Sequence, residues 1–248
     1  MSAGRRPWRD PLALTAAGLA LLLLALPRLG PVFAALFPRL DRPLYRGGHL
    51  AGLVFDHLAL VAAASLAAAI LGLAGGIAVT RPGGAPFRGL VEALAAIGQT
   101  VPPVAILALA VPALGFGAGP ALLALTLYGI LPVLAATVAG LGAVPAAATE
   151  AARGIGMGPA AILGRVELPL AAPVILAGIR VSVAINLGTA AIASTVGART
   201  LGLPIILGLD GANTAYVLQG AVPLALLALL VDLAFDRLAA RLEAWRAT

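Results

Sequence analysis

A spanning helix needs roughly 20 consecutive, mostly apolar residues, and this sequence offers six such stretches. They lie at about 11–26, 57–80, 90–113, 119–139, 172–196 and 215–235, the first being short. Hydrophilic breaks at 81–88, 115–119, 141–170 and 197–214 separate the later ones. Apolar residues make up 61% of the 248 and charged residues only 10%, against about 25% charged in a soluble domain. The mean hydropathy is +1.06. A soluble globule keeps too much of its surface in water to hide that much apolar area. The chain is therefore read as an all-α integral membrane protein of about six transmembrane helices, with no stretch left over for a soluble domain.

What is absent narrows the chemistry. There is no cysteine, which removes disulfides, thiolate metal sites and cysteine nucleophiles. All sixteen basic residues are arginine. A phosphate-binding P-loop requires a lysine after its glycines, so if ATP drives this protein, another polypeptide binds it. The arginines stand singly between apolar runs rather than in a stripe, so the net charge of +6 points to membrane lipid and not to nucleic acid. No cofactor and no metal is expected on this chain.

Arg5, Arg6 and Arg9 precede the first apolar run in the layout of a secretory signal, but Pro27-Arg28 follows it instead of a small-x-small cleavage site. An uncleaved first span is expected. With the N-terminus inside, the inner pieces hold ten arginines (5, 6, 9, 81, 88, 153, 165, 237, 241, 246) and the outer pieces five (28, 39, 42, 46, 199). That ratio predicts both termini in the cytoplasm. The expected layout is a tail, first span and outer loop over 1–50, a transmembrane domain over 51–240, and a cytoplasmic tail over 241–248. Pro31, Pro38 and Pro43 forbid a long helix in the outer loop, which leaves room for a short interfacial helix at about 45–56.

The segment 141–170 is not composed like a passive linker. Pro145 suits a helix start, and 146–153 reads as a short helix with Glu150 and Arg153 at i,i+3. Gly154, Gly156 and Gly158 offer a turn where positive φ costs little. Pro159 can open a second helix through Ile162, Leu163 and Val166, and Pro169 either ends it or starts the next span. The prediction is a helix–turn–helix at the cytoplasmic surface, whose small residues let a partner's groove approach the backbone.

Glu150-Ala151-Ala152, three residues, Gly156, nine residues, then Val166-x-Leu168-Pro169 resembles the EAA loop of permease subunits of ABC-type importers. Valine stands where isoleucine is usual. The resemblance narrows with Gln99-Thr-Val-Pro-Pro103, Leu127-Tyr-Gly-Ile-Leu-Pro132, Ile185-Asn-Leu-Gly-Thr-Ala190 and Leu218-Gln-Gly-Ala-Val-Pro223. These are similar to the osmoprotectant branch, permeases for glycine betaine, carnitine and choline. The likeness covers about 50–240. It implies a type I ABC-importer permease (MetI-like) fold in the bacterial inner membrane, with Glu150, Ala151, Ala152, Gly156, Val166, Leu168 and Pro169 coupling to a cytoplasmic ATPase dimer that carries the ATP and Mg. It also implies an extracytoplasmic substrate-binding protein and a second permease subunit, identical or paralogous. One departure is Gly197-Ala-Arg-Thr-Leu-Gly202, where Arg199-Thr200 replaces a usual glycine pair; an effect on binding-protein docking or on substrate is expected.

Polar residues inside apolar spans usually face a cavity or pair with one another. Gln99 and Thr100 precede Pro102-Pro103, and two adjacent prolines break a helix and disfavour helix at Val101. A broken helix at membrane depth is tolerated where it lines a cavity. Ser182, Asn186 and Thr189 share one helix face at i, i+4 and i+7. These seven residues are the candidate translocation path. The same residue types also serve as interhelical glue, and the sequence leaves both readings open. Gly72-x-x-x-Gly76 predicts a close helix approach, within the subunit or between two. A pairing of Glu150 with Arg153 or Arg165 is expected to hold the turn. Asp56-His57 reads as an interfacial cap. A permease for another solute, such as methionine, remains a reading of the same residues. An ATPase-independent channel or an intramembrane enzyme is more remote, since no HExxH or Gly-x-Ser nucleophile turn is present.

Overall fold

The computed structural model describes residues 10–246, with side chains through Leu242. Arg5, Arg6 and Arg9, used in the charge count, lie outside the described residues. Eleven α-helices are described: α1 (Pro11–Ala25), α2 (Gly30–Leu36), α3 (Leu50–Thr80), α4 (Arg88–Thr100), α5 (Pro103–Leu114), α6 (Ala118–Gly142), α7 (Ala146–Gly154), α8 (Pro159–Ile162), α9 (Leu168–Thr189), α10 (Gly202–Asp210) and α11 (Thr214–Arg246). Among the described residues there is no strand. Asp10 caps α1 by accepting from the Leu12 N–H at 3.2 Å, and Pro11 occupies the first turn, where its missing donor costs nothing.

Among the described residues five helical runs are long and apolar enough to cross a membrane: Pro11–Arg28, Leu50–Thr80, Ala118–Gly142, Pro159–Thr189 and Thr214–Leu242. The sixth expected span is not one rod. Ala85–Thr100 and Pro103–Leu114 meet at an angle of 93°. Val101 sits between them in extended conformation, as the residue before a proline must.

Four other boundaries differ from the expectation. No separate interfacial helix occupies 45–56; α3 starts at Leu50, and the short helix of the expected outer loop is α2. Pro169 neither ends nor starts a helix. The second helix of the 141–170 segment runs without a break through a π turn (Leu163–Glu167) into α9. There the Leu168 N–H reaches back five residues to the Leu163 carbonyl. The fifth span stops at Thr189 and gives way to a 3₁₀ turn (Ile192–Val196). The last helix continues to Arg246, so most of the expected tail is helical.

By contact the chain divides into two compact units: one comprises the chain to Ala62 with Pro103–Ala124 and Leu187–Asp236, the other Ala63–Pro102, Leu125–Asn186 and the chain from Arg237 on. In the second unit small residues set the packing, because in a bilayer helices associate by close fit rather than by escape from water. A Cβ on Gly72 would come 2.8 Å from Val133 Cβ, and one on Gly76 would come 2.6 Å from Thr137 Cβ. The Gly72-x-x-x-Gly76 pair therefore serves packing of α3 on α6 within this chain.

In the first unit, Gln219 of α11 holds the 41–47 segment by its backbone. Its Nε2 donates to the Pro43 carbonyl at 2.7 Å, and its Oε1 accepts from the Tyr45 N–H at 2.9 Å.

Candidate functional site

The 146–162 hairpin, where coupling is expected, is built around one glycine. Gly156 has φ +85°, while Gly158 is extended and caps α8, and Gly154 is the last residue of α7. The Gly156 N–H donates to the Arg153 carbonyl at 2.9 Å and the Met157 N–H to the Ala152 carbonyl at 3.0 Å. These two bonds form a Schellman cap, which needs a left-handed residue at this place. Ala152 and Ile162 are buried. Glu150, Ala151, Arg153 and Gly156 are exposed, and Ile155 at the tip is 80% exposed. Val166, Leu168 and Pro169 are half-buried along the helix that returns into α9.

The expected clamp by Glu150 does not form: among the described residues its carboxylate has no hydrogen bond or ion pair, and Arg153 and Arg165 have none either. Exposed side chains on a short helix gain too little from such a pair to order it. A different ion pair holds the segment. Glu167 in the π turn binds Arg81, just past α3, at 2.7 Å, with its side chain only 13% exposed. Nothing in the spacing of positions 81 and 167 announces this contact.

At the broken helix, two carbonyls without a helical donor find side chains. Pro132 lies four residues after Tyr128 and has no N–H, so the Tyr128 carbonyl loses its helical donor. Gln99 Nε2 takes that place at 2.8 Å. In return the Tyr128 hydroxyl donates to the carbonyl of Val101, which the break leaves without a helical donor. Thr100 and Pro102 are exposed and Pro103 is half-buried as the first residue of α5. The Tyr128–Pro132 spacing was a readable signal for an orphan carbonyl.

Ser182 and Asn186 are buried, at 1% and 0% exposure. Asn186 Nδ2 donates to Ser65 Oγ on α3 at 3.0 Å, and a Cβ on Gly129 of α6 would come 2.5 Å from Ser182 Oγ. Ser182 Oγ and Asn186 Oδ1 are buried without a partner. The structure brings these two together in a contact of three helices. Thr189, half-buried at the end of α9, belongs to the other unit.

His57 is fully buried and joins two loose backbone ends. The Ala191 N–H turns to Gly188, which frees the Leu187 carbonyl. His57 Nε2 donates to that carbonyl at 3.1 Å, and Nδ1 accepts from the Leu201 N–H at 3.3 Å. These roles require the neutral Nε2–H tautomer. Asp56 pairs with Arg199 at 2.9 Å. Thr200 is buried, bonded to Ser194 Oγ at 2.8 Å, and accepts from the Gly202 N–H at 3.1 Å. Of the Arg199-Thr200 departure, only Arg199 is therefore presented to solvent.

Among the described residues the protein is all-helical, with one sharply bent helix pair and an exposed, glycine-capped hairpin that runs into a span-length helix. Residues 70–244 match the family of binding-protein-dependent transport system inner membrane components, and the chain belongs to that family, as a permease subunit of an ABC importer. It is 43% identical to the osmoprotectant import permease protein OsmY of Salmonella typhimurium over 176 residues, 71% of this chain and 75% of that one. It is 39% identical to the choline transport system permease protein OpuBB of Bacillus subtilis over 188 residues, 75% of this chain and 85% of that one. Among solved structures, an inward-facing form of the MetNI methionine ABC transporter superposes with a TM-score of 0.70 at 26% identity, covering 78% of this chain and 95% of that chain.

Proposed function

We propose that this subunit passes quaternary ammonium osmoprotectants, glycine betaine, carnitine and choline among them, through a pathway made with a second permease subunit. Identity of 43% with an osmoprotectant permease and 39% with a choline permease supports that substrate class. A separate ATPase dimer binds ATP and Mg and seats the 146–162 hairpin. An extracytoplasmic binding protein delivers the solute, and both termini face the cytoplasm.

The observation that carries the coupling role is the hairpin itself. Its backbone is closed by the cap at Gly156, Ala152 and Ile162 are buried, and Ile155 stands free at the tip. An apolar residue so exposed on an ordered turn is suited to a groove on a partner. Because α8 runs into α9 without a break, displacement of the tip moves a spanning helix directly. ATP can shift the permease between inward- and outward-open states only if the hairpin makes different contacts in each. Gln99 and Tyr128 then act at the hinge of the broken span. Burial of Ser182 and Asn186 beside Ser65 and Gly129 favours a packing role for that face over direct contact with solute.

Uptake of labelled choline or glycine betaine by cells expressing the subunit with its ATPase and binding protein tests the substrate. Accumulation of methionine, with neither amine competing, would replace this reading. Co-purification of the ATPase, lost in Gly156→Trp, tests the docking.

A further inference from the structure

The first unit contains a cavity of about 780 Å³ with two unlike walls. Ala34 and Leu207 make one wall apolar, and Asp41, Arg42 and Arg46 make the other charged. Among the described residues these three charged side chains form no ion pair or hydrogen bond. Their backbone is nevertheless fixed. The Arg42 carbonyl accepts from Asn213 Nδ2 at 3.0 Å, and Gln219 grips the next residues on. Tyr45 lines the same cavity and is 6% exposed, in edge-to-face contact with Tyr216 at 5.5 Å. Its hydroxyl is buried with no partner, an arrangement that costs stability unless an acceptor arrives. Burial, reinforced by Tyr216 and opposed by Arg199, pushes its ionisation up, so the group stays a donor.

The surroundings say which phase the ligand comes from. The cavity lies past the C-terminal end of the span Pro11–Arg28 and at the N-terminal end of the span Thr214–Leu242, which is the bilayer boundary. On α2, which lines it, Val32 and Leu36 are 49% and 67% exposed. A short helix with bare apolar residues at that depth lies in the interface.

We propose that this cavity binds the headgroup of a zwitterionic phospholipid. Arg42, Arg46 and the Tyr45 hydroxyl take the phosphodiester, Asp41 takes the headgroup amine, and the glycerol and first acyl carbons lie on Ala34 and Leu207. Arginine suits the phosphate because its planar fork offers two donors at once. A free zwitterionic solute shares the paired anion and ammonium but leaves the apolar wall bare.

Native mass spectrometry on the full chain in mild detergent, titrated with phosphatidylethanolamine, phosphatidylglycerol or glycine betaine, tests the site. The expected result is one tightly held phosphatidylethanolamine, its affinity about tenfold lower in Arg42→Ala/Arg46→Ala. Asp41→Asn should erase the preference for the ethanolamine lipid over the glycerol lipid. Tyr45→Phe should melt higher when stripped of lipid yet hold lipid less well, opposite signs that a purely structural tyrosine does not give. Equal lipid retention in a folded Arg42→Ala/Arg46→Ala overturns the proposal, as does displacement of the lipid by glycine betaine. Should that double variant fail to fold, unchanged retention in Tyr45→Phe overturns it alone.

Discussion

Two helix ends in this chain are closed by the same device and put to opposite use. At Gly156 and at Gly197 a glycine with φ near +80° terminates a helical turn, and the next N–H reaches back five residues, to Ala152 and Ala193 respectively. Around Gly156 the chain is exposed from Arg153 to Gly156 and from Gly158 to Ala160, with Met157 half-buried, and among the described residues Glu150, Arg153 and Arg165 make no hydrogen bond or ion pair. Beyond Gly197 Ala198, Thr200 and Leu201 are buried, and His57, Ser194 and Thr200 satisfy the backbone and one another. The cap is local chemistry and is the same in both places. What differs is whether the fold supplies buried partners for the residues that follow. Where it does, the turn is a fixed joint; where it does not, the turn stays open to solvent.

The strongest challenge to this contrast is Gly202→Ala. A Cβ there would overlap the Ala191 carbonyl oxygen, a backbone atom that cannot rotate away. A loss of about 3 kcal/mol is expected, read as a lower melting temperature in detergent or no recoverable protein. A wild-type melting curve would mean that the buried joint is loose after all.

His57→Phe should follow, at about 2 kcal/mol, since the Leu187 carbonyl and the Leu201 N–H are then buried without partners. Asp56→Asn removes only a half-exposed contact and should cost far less, so equal losses would show that the histidine is an ordinary interfacial cap.

Gly156→Ala meets no atom within 4 Å and pays only the left-handed strain, about 1–2 kcal/mol. Gly156→Asn should recover much of it, because asparagine tolerates that conformation. If alanine were free of cost, the turn would have relaxed out of the cap.

Next comes the clamp at the root of the hairpin. Arg81→Ala or Glu167→Ala should lower stability by about 1 kcal/mol while uncoupling ATP hydrolysis from uptake, and Arg81→Glu/Glu167→Arg should restore part of the coupling. No rescue would show that the pair is incidental.

Ile155→Ser is the smallest change to the fold, within about 0.5 kcal/mol at so exposed a position. Its readout is ATPase co-purification, expected to fall sharply. A fully bound ATPase would move the docking face elsewhere.

The legibility of these features followed their range. Spans, the break at Pro102-Pro103 and the left-handed turn at Gly156 depend on neighbours within a few residues, and the sequence carries them openly. The ambiguity over Pro169 was of another kind. Proline at that position is compatible with a boundary or with a continuous helix, and the preceding π turn lets the helix pass through. The Glu150 clamp failed because i,i+3 spacing makes a pair available without making it favourable in solvent. Gln99 stands out as polar in an apolar run, but its partner is the Tyr128 carbonyl orphaned by Pro132 on another helix.

By itself the sequence determined that this chain is a bundle of apolar helices long enough to span a membrane, with one glycine-rich hairpin between two of them. Apolar run length, missing lysine and glycine placement are local or compositional, and need no knowledge of the fold. Only the tertiary structure decided that Arg81 holds Glu167, that Tyr128 and Gln99 close the broken span, that His57 staples two loose ends, and that Asp41, Arg42 and Arg46 share a cavity. The first three join residues far apart in sequence, and the fourth needs Leu207 and Tyr216 to close the cavity over a short segment; the tyrosine, glutamine and histidine contacts are set by which backbone groups the packed helices leave without a partner.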